Sequence, residues 1–275
     1  MFRGNAATVK RESEAFPSVE AFVGAALQVV KQVDSREKRG RDREHELERI
    51  LAAIWLLCRC GVQWRAIGLM TGLPWTTVYY HFARWTRLGL WRRLAVGLVG
   101  MLRVFYGQDP SVGVADTRSV RSTPTAGARG IDGGKKVNGI KLSIVTERWG
   151  FPLAMRVTTA DVNDRDSLRD MLVELRAEWP SVDKLLADLG YSGQKLNDDA
   201  KERGFEMLVK KCGDGSGKFR PTEIRWVVER TFGWLSRWRR TVVCYERDIA
   251  NYASYAWIAM ASIMANLISD IYPSA

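Results

Sequence analysis

The sequence predicts an α/β protein whose mixed sheet is covered by helices and preceded by an all-α region containing a helix-turn-helix. Three features predict it. Apolar residues recur at intervals of three and four through the front of the chain, the pattern changes to short β-like runs from residue 111, and the order thereafter reads βββαβαβα, with an early hairpin and later crossovers. At 275 residues and 46% hydrophobic content the chain can bury a large core, which excludes intrinsic disorder and a small disulfide-held scaffold.

Residues 1–45 are polar, and Lys31 to Arg49 is dense in charges of both signs, which predicts an arm, a solvated helix or both. Leu47, Ile50, Leu51, Ile54 and Leu57 or Cys58 make one helical face that should end near Gly61. A short helix around Trp64 to Met70 then meets Thr71-Gly72-Leu73-Pro74 before a second helix starts. Pro74 suits its first turn and Gly89 its C-terminal cap. In this second helix Val78, Phe82 and Trp85 share one side, while Thr77, Tyr80, Arg84 and Arg87 project from roughly the opposite side. Arg contacts guanine or phosphate and Thr or Tyr the backbone, so that face suits a DNA groove; the alternative is the solvated surface of a helical bundle. A net charge of +11 favours a polyanionic partner. Residues 1–110 hold +7 of it, from 17 basic and 10 acidic side chains.

After a helical stretch from Leu90 to Tyr106, SVGVADTRSV reads as a short strand ending in a carboxylate, and a Gly-rich segment runs from Gly127 to Gly139. IKLSIVTERW and FPLAMRVTTA, joined by Gly150, predict a hairpin. Asp166 to Trp179 reads as a helix, VDKLLADLG as a buried strand, Gln194 to Arg203 as a helix and FEMLVKK as a strand. Thr222 to Arg240 and Ile249 to Tyr272 complete the chain as helices. Trp226, Trp234 and Trp238 recur on one of these, predicting packing against another helix or a second subunit, and Trp257, Ile258, Ile263 and Leu267 read as core or interface rather than a lipid anchor. The cysteines Cys58, Cys60, Cys212 and Cys244 and the histidines His45 and His81 match no zinc spacing, so the thiols read as reduced, in a cytoplasmic protein.

Asp116 closes VGVAD and Asp188 closes KLLAD, each after apolar residues that should be buried. A lone ionised carboxylate beside a sheet core is costly unless it is paired, hydrogen-bonded or bound to a metal. Two of them at the ends of adjacent strands could share one crevice; alternatively Asp188 caps the turn at 189–193 and Asp116 a loop. Glu229 lies about 120° from the apolar stripe of Ile224, Val227, Val228 and Leu235, and either reaches past a sheet edge or pairs at the surface with Arg225. Asp161, Asp164 and Asp166, ahead of a helix, read as caps and favourable N-terminal charges. Lys135, Lys136 and Lys141 flank the glycines of the loop after Asp116 and either approach phosphates or belong to a basic, mobile hairpin loop. Arg225 and Arg230 bracket Glu229 and suit a grip on a DNA strand, whereas Tyr191 reads as a packing residue.

The runs GVADTRSVRST, GIDGGKKVNGIK, TTADVNDRD, ADLGYSG and RWVVERTFGWLSRWRR, in this order, resemble the catalytic region of DDE transposases of bacterial insertion sequences. The nearest group is the one typified by insertion sequence five, within the insertion sequence four/five-like superfamily. The segment from CGVQWRAIG through PWTTVYYHFARWTRLGLWRRL is similar to that group's DNA-binding region, so the resemblance spans roughly residues 45 to 247.

The resemblance implies an RNase H-like sheet and assigns Asp116, Asp188 and Glu229, with 71 and 40 residues between them, as the catalytic acids that hold two Mg²⁺ ions, for which Mn²⁺ can substitute. It implies a transposase acting on double-stranded DNA, both the element's terminal inverted repeats and the target. Water first cuts at the element's end and the freed 3′-hydroxyl then attacks the target. It also implies a homodimer in the synaptic complex, a cytoplasmic protein that is nucleoid-associated when DNA-bound, and no membrane partner. The expected division is an arm at 1–45, a helix-turn-helix domain at 46–110, a catalytic domain at 111–248, and a helix at 249–275 packed on the catalytic domain or a partner subunit. The family's signature around the glutamate runs Tyr, two residues, Arg, three residues, Glu, six residues, Lys. This chain keeps Arg225 and Glu229, has Thr222 and Ser236 at the other two positions, and carries Arg237, Arg239 and Arg240 close by, with Arg237 a candidate DNA contact. The competing expectations are a non-catalytic DNA-binding protein that retains the fold, and a nuclease that cuts without joining strands.

Overall fold

The computed structural model describes residues 17–34, 45–106, 111–209 and 222–272, leaving out the side chains of 222–225. Cys212 and most of the expected arm lie outside the described residues. In chain order the elements are α1 (Val19–Val33), α2 (Leu47–Cys60), α3 (Trp64–Thr71), α4 (Trp75–Arg87), α5 (Leu90–Tyr106), β1 (Val112–Arg121), β2 (Gly130–Asp132), β3 (Val137–Thr146), β4 (Pro152–Thr159), α6 (Asp164–Glu178), β5 (Lys184–Ala187), α7 (Gln194–Glu202), β6 (Glu206–Val209), α8 (Thr222–Ser236), α9 (Arg239–Val242) and α10 (Ile249–Ile271). They form two compact units. One comprises residues up to Leu102 with Leu235–Val242 and Ala250–Ala275, and the other comprises Arg103–Trp234 with Val243–Ile249.

The first unit is helical. Ser18 starts α1 by accepting the Ala21 N–H on its hydroxyl, and Phe22, Ala26 and Val30, four residues apart, are buried, so part of the polar N-terminal stretch is an amphipathic helix. α2 ends at Gly61 (φ 71°), and Gly72 (φ 70°) makes the turn between α3 and α4, where its left-handed backbone suits glycine. α10 is largely apolar, and every residue from Ser254 to Leu267 is buried, so it is covered on every side. It is expected on the sheet domain or a partner; the structure places it in the first unit. There the Cys58 thiol lies 3.6 Å from the Tyr255 carbonyl, Phe82 stacks on Tyr255 with centroids 5.0 Å apart, and Asn266 Oδ1 accepts the Ser18 N–H at 3.0 Å. Trp238 at the end of this unit's α8–α9 segment packs edge-on to Trp55 (5.6 Å), the helix-to-helix packing its spacing predicts. Among the described residues no helix is long and apolar enough to cross a membrane.

The second unit is built on a six-stranded sheet of order β2-β3-β1-β5-β6, with β4 also paired to β3. β1, β3 and β4 are antiparallel, while β5 is parallel to β1 and β6 to β5. Three antiparallel strands continued by two parallel ones, with helices supplying the crossovers, is an RNase H-like arrangement. β1 takes in the predicted run from Val112 onward and extends it by one residue. It runs on past Asp116 to Arg121 because β3 keeps pairing with it as far as Gly139, and the Gly-rich segment contributes the short β2.

The β3–β4 turn is the hairpin that Gly150 signals (φ 86°). Glu147, 2% exposed, closes it by accepting the N–H groups of Trp149 (2.8 Å) and Phe151 (3.1 Å) on Oε1. α8 docks on the same turn. Thr231 Oγ1 donates to the Gly150 carbonyl at 2.7 Å, Arg230 Nη2 donates to the Trp149 carbonyl at 2.7 Å, and Trp234 stacks on Phe151. A Cβ at Gly150 would stand 2.8 Å from Thr231 Oγ1, so Gly150→Ala should cost about 2 kcal/mol from backbone strain and crowding together. Gly97→Ala, in α5 with open space around it, should instead gain about 0.5–1 kcal/mol. Thermal unfolding midpoints moving in opposite directions for the two variants check this.

Burial pushes the Glu147 carboxyl up to about 7 despite its two backbone hydrogen bonds and the positive charges of Arg148 and Arg230. Between the ordinary value of 4.5 and about 7 the folded protein therefore holds a proton that the unfolded chain releases. The resulting stabilisation is complete below the lower value and is lost as pH rises through the upper one. Glu147→Gln should flatten that decline, measured as the denaturant midpoint across the same interval.

Candidate functional site

Asp116 is set by β1 and Asp188 by the end of β5. The parallel register pairs Val112 with Lys184, Gly113 with Leu185 and Val114 with Leu186; two residues further along each strand, Asp116 and Asp188 stand level on neighbouring strands. Both are half-buried. Asp188 does cap the turn that follows, accepting the Gly190 N–H on Oδ1 at 2.9 Å, and Asp116 Oδ1 accepts the Thr117 N–H at 2.7 Å. Capping and a role in a site are compatible, because a carboxylate has acceptor capacity to spare on its second oxygen.

Behind the pair lies a buried hydroxyl chain. Thr117 Oγ1 is 2.8 Å from the Tyr191 hydroxyl and 2.9 Å from Ser143 Oγ. Tyr191, 2% exposed, is the packing residue the sequence predicts, but it also ties the turn after Asp188 to the residue after Asp116. Burial pushes its phenol above the usual range, the bond to Thr117 opposes this, and the nearby Asp116, Asp164 and Asp188 add to the rise, so it stays protonated. The sequence offers no signal for Thr117 or Ser143, whose pairing follows from the β1–β3 register.

Glu229 is exposed on α8. Arg118 shares a strand face with Asp116, being two residues on, and its Nη1 donates to the Phe232 carbonyl at 3.2 Å while its guanidinium lies 5.6 Å over the Phe232 ring. α8 thus crosses the face from which Asp116 projects, with Glu229 three residues before that contact. The three acids are nevertheless not gathered into one cluster: among the described residues no three His, Cys, Asp or Glu side chains form a group that could hold a metal. What the structure brings together is the Asp116–Asp188 pair, hard oxygen donors of the kind Mg²⁺ takes.

The basic candidates part company. Lys141 is 8% exposed; its ammonium pairs with Asp164 at 2.9 Å, donates to the Val162 carbonyl at 2.9 Å and lies 3.9 Å from Asp132, so it is an internal charge rather than a surface contact. Asp132 holds the Gly-rich loop by accepting from Ser119 (2.5 Å) and from the N–H groups of Gly134 and Lys135. Burial raises its carboxyl, but these bonds and Lys141 outweigh that and hold it below the ordinary value. Lys135 and Lys136 are exposed, although the Lys135 ammonium reaches the Thr117 carbonyl at 3.1 Å. Arg230 is sandwiched between Trp226 (4.4 Å) and Trp234 (4.9 Å), and burial lowers its pKa. Arg237 is exposed, and the Arg225 side chain lies outside the described residues.

In the first unit, α4 buries Val78, His81, Phe82 and Trp85. Of the expected outward residues, Tyr80 and Arg87 are exposed and Thr77 and Arg84 half-buried. Arg84 is held by Asp34 through Nε (2.9 Å) and Nη2 (2.7 Å), and the other Asp34 oxygen accepts Trp85 Nε1 at 2.9 Å. Asp34, on which the sequence alone places no emphasis, thereby fixes α4 to the end of α1.

The sequence pattern of the transposase DDE domain matches residues 107–214, and that of transposases of the IS4/5 family matches residues 26–95. Over 143 residues the chain is 36% identical to a Burkholderia cepacia protein that bears the name of transposase for insertion sequence element IS402; the match covers 47% of this chain and 64% of that relative's length. A pre-cleavage Mos1 transpososome (11% identity, 97% of this chain, 92% of that one, TM-score 0.28) and the Mos1 mariner paired-end complex with Mn (10%, 98%, 94%, 0.26) align at scores too low to support a structural argument. Transposase patterns thus match both the helical front and the sheet, and over those segments the chain is similar to DDE transposases of the IS4/5 family.

Proposed function

We propose that this protein is the transposase of an insertion sequence, binding the element's ends as double-stranded DNA through α3 and α4 and cutting and joining DNA strands at Asp116, Asp188 and Glu229. The observation that carries the reading is the β1–β5 register, which sets two carboxylates side by side at the point where β5 stops pairing. Divalent cations bound there, two Mg²⁺ or in their place Mn²⁺, would activate the attacking oxygen and stabilise the leaving one. Asp116 and Asp188 present the oxygens, and Arg118 keeps α8, and with it Glu229, over the same face. Tyr191, bonded to Thr117, fixes the spacing between the two aspartates. Water attacks the phosphorus at the element's end, the P–O3′ bond breaks, and the 3′-hydroxyl released then displaces a 3′ oxygen in target DNA. No protein nucleophile is required. Lys135 and Lys136 and, on α8 and beyond it, Arg225, Arg230 and Arg237 are the candidates for holding the strands; two ends brought together call for a homodimer.

Wild-type protein with Mg²⁺ should nick an end-bearing duplex and yield strand-transfer products. Asp188→Asn should bind the same duplex within about twofold yet lose more than about 100-fold in cleavage, a larger loss than removal of an outer partner of a metal site. Undiminished cleavage by the variant defeats the assignment, cleavage without joined products identifies a nuclease, and binding without cleavage by the wild type identifies a DNA-binding protein.

Tyr191→Phe keeps the ring and removes the hydroxyl. It should lower stability by about 1 kcal/mol and Mn²⁺ affinity by about 10-fold or more while leaving duplex binding unchanged; Mn²⁺ titration followed by electron paramagnetic resonance reads the second effect directly.

A further inference from the structure

We infer that α4 reads thymine methyl groups in the major groove, using Thr76, Tyr79 and Ala83; this rests on the DNA-binding role proposed for the helix-turn-helix and adds the class of base it recognises. The exposed residues of α4 are Trp75, Thr76, Tyr79, Tyr80 and Arg87, with Ala83 half-exposed at the centre of the arc they span, about 140° wide at 100° per residue. Trp75, Tyr79 and Tyr80 are 36%, 40% and 47% exposed, an unusual concentration of aromatic surface on one short helix. Tyr79 is held in place edge-on to Trp64, with centroids 5.0 Å apart.

The partner follows from the charge around that face. Between Glu48 and Asp109 the sequence contains eight arginines and neither an aspartate nor a glutamate, so a polyanion is attracted along the whole stretch. The bases follow from the donor inventory. A recognition helix meets base edges with its N-terminal turns, and reading guanine takes Arg or Lys, adenine Asn or Gln, and cytosine Asp or Glu. None of these is present on α4 before Arg84, and Arg84 is engaged by Asp34. What remains to face a base is the methyl and hydroxyl of Thr76, the methyl of Ala83 and the ring edge of Tyr79, and such groups discriminate by contact with the thymine C5-methyl. Arg87, three turns on and on the same side, is placed for a phosphate.

The test uses the full-length protein and a randomised duplex library. Selection should enrich sequences with T·A pairs at fixed positions. Replacing single thymines in the selected duplex by deoxyuridine, which deletes only the methyl, should weaken binding about fourfold at one or two of them, the worth of one buried methyl group. Thr76→Ser and Ala83→Ser should each erase that difference at one position, whereas Arg87→Ala should weaken thymine and uracil duplexes alike and lower the salt slope by about one. A selected sequence bound equally with thymine or uracil at every position overturns the inference and leaves DNA binding standing. No enrichment at all overturns both. Loss of self-association in Trp75→Ser and Tyr79→Ser, with equal thymine and uracil binding, assigns the face to a protein partner instead.

Discussion

Parallel pairing of β1 with β5 is the constraint around which the sheet unit is organised. A parallel pair cannot be closed by a tight turn, so the chain has to leave β1, build β2, β3 and β4 on its other side, and return through α6 before β5 can form. That detour makes the two aspartates distant in sequence and level in space. It also explains why the residues preceding both are buried: β1 and β5 are interior strands, and Asp188 follows directly on the end of β5. Ligand sites in open α/β sheets lie at just such carboxyl ends of strands.

The hydroxyl chain of Tyr191, Thr117 and Ser143 makes this arrangement rigid. The turn after β5 is also held by the cap of Asp188 and by Arg165, whose Nη1 donates to the Ser192 carbonyl. A bond from the turn to Thr117 places the restraint one residue from Asp116. The restraint lies on the opposite strand face, so it does not compete for the carboxylates.

Much of the fold was legible in the sequence because its signals are local. Gly61, Gly72 and Gly150 stand at the chain reversals where they were expected, and the largely apolar α10 is buried as its composition demands. What was illegible depends on partners far apart in the chain. Arg84 looked like an outward guanidinium because its carboxylate is 50 residues away, and Lys141 looked like a loop lysine because its partner Asp164 begins another element. The pairing of Asp116 with Asp188 was legible as a possibility of adjacent strands. The position of Glu229 relative to them depends on how α8 docks on the hairpin turn, for which the sequence carries no periodic signal.

The buried charges share a physical logic. Asp34, Asp132, Glu147 and Lys141 are all buried; Asp34 ties the last turns of α4 to the end of α1, and the other three bind segments with little apolar surface of their own, the Gly-rich loop, the hairpin turn and the head of α6. A short polar loop cannot be held by hydrophobic burial, so it is held by charge-assisted hydrogen bonds, which lose strength little when the site is dry. The cost is that such charges withdraw from the surface, three of the four being acidic. Each such ion pair removes one charge of either sign, so the formal surplus of +11 is left to the surface.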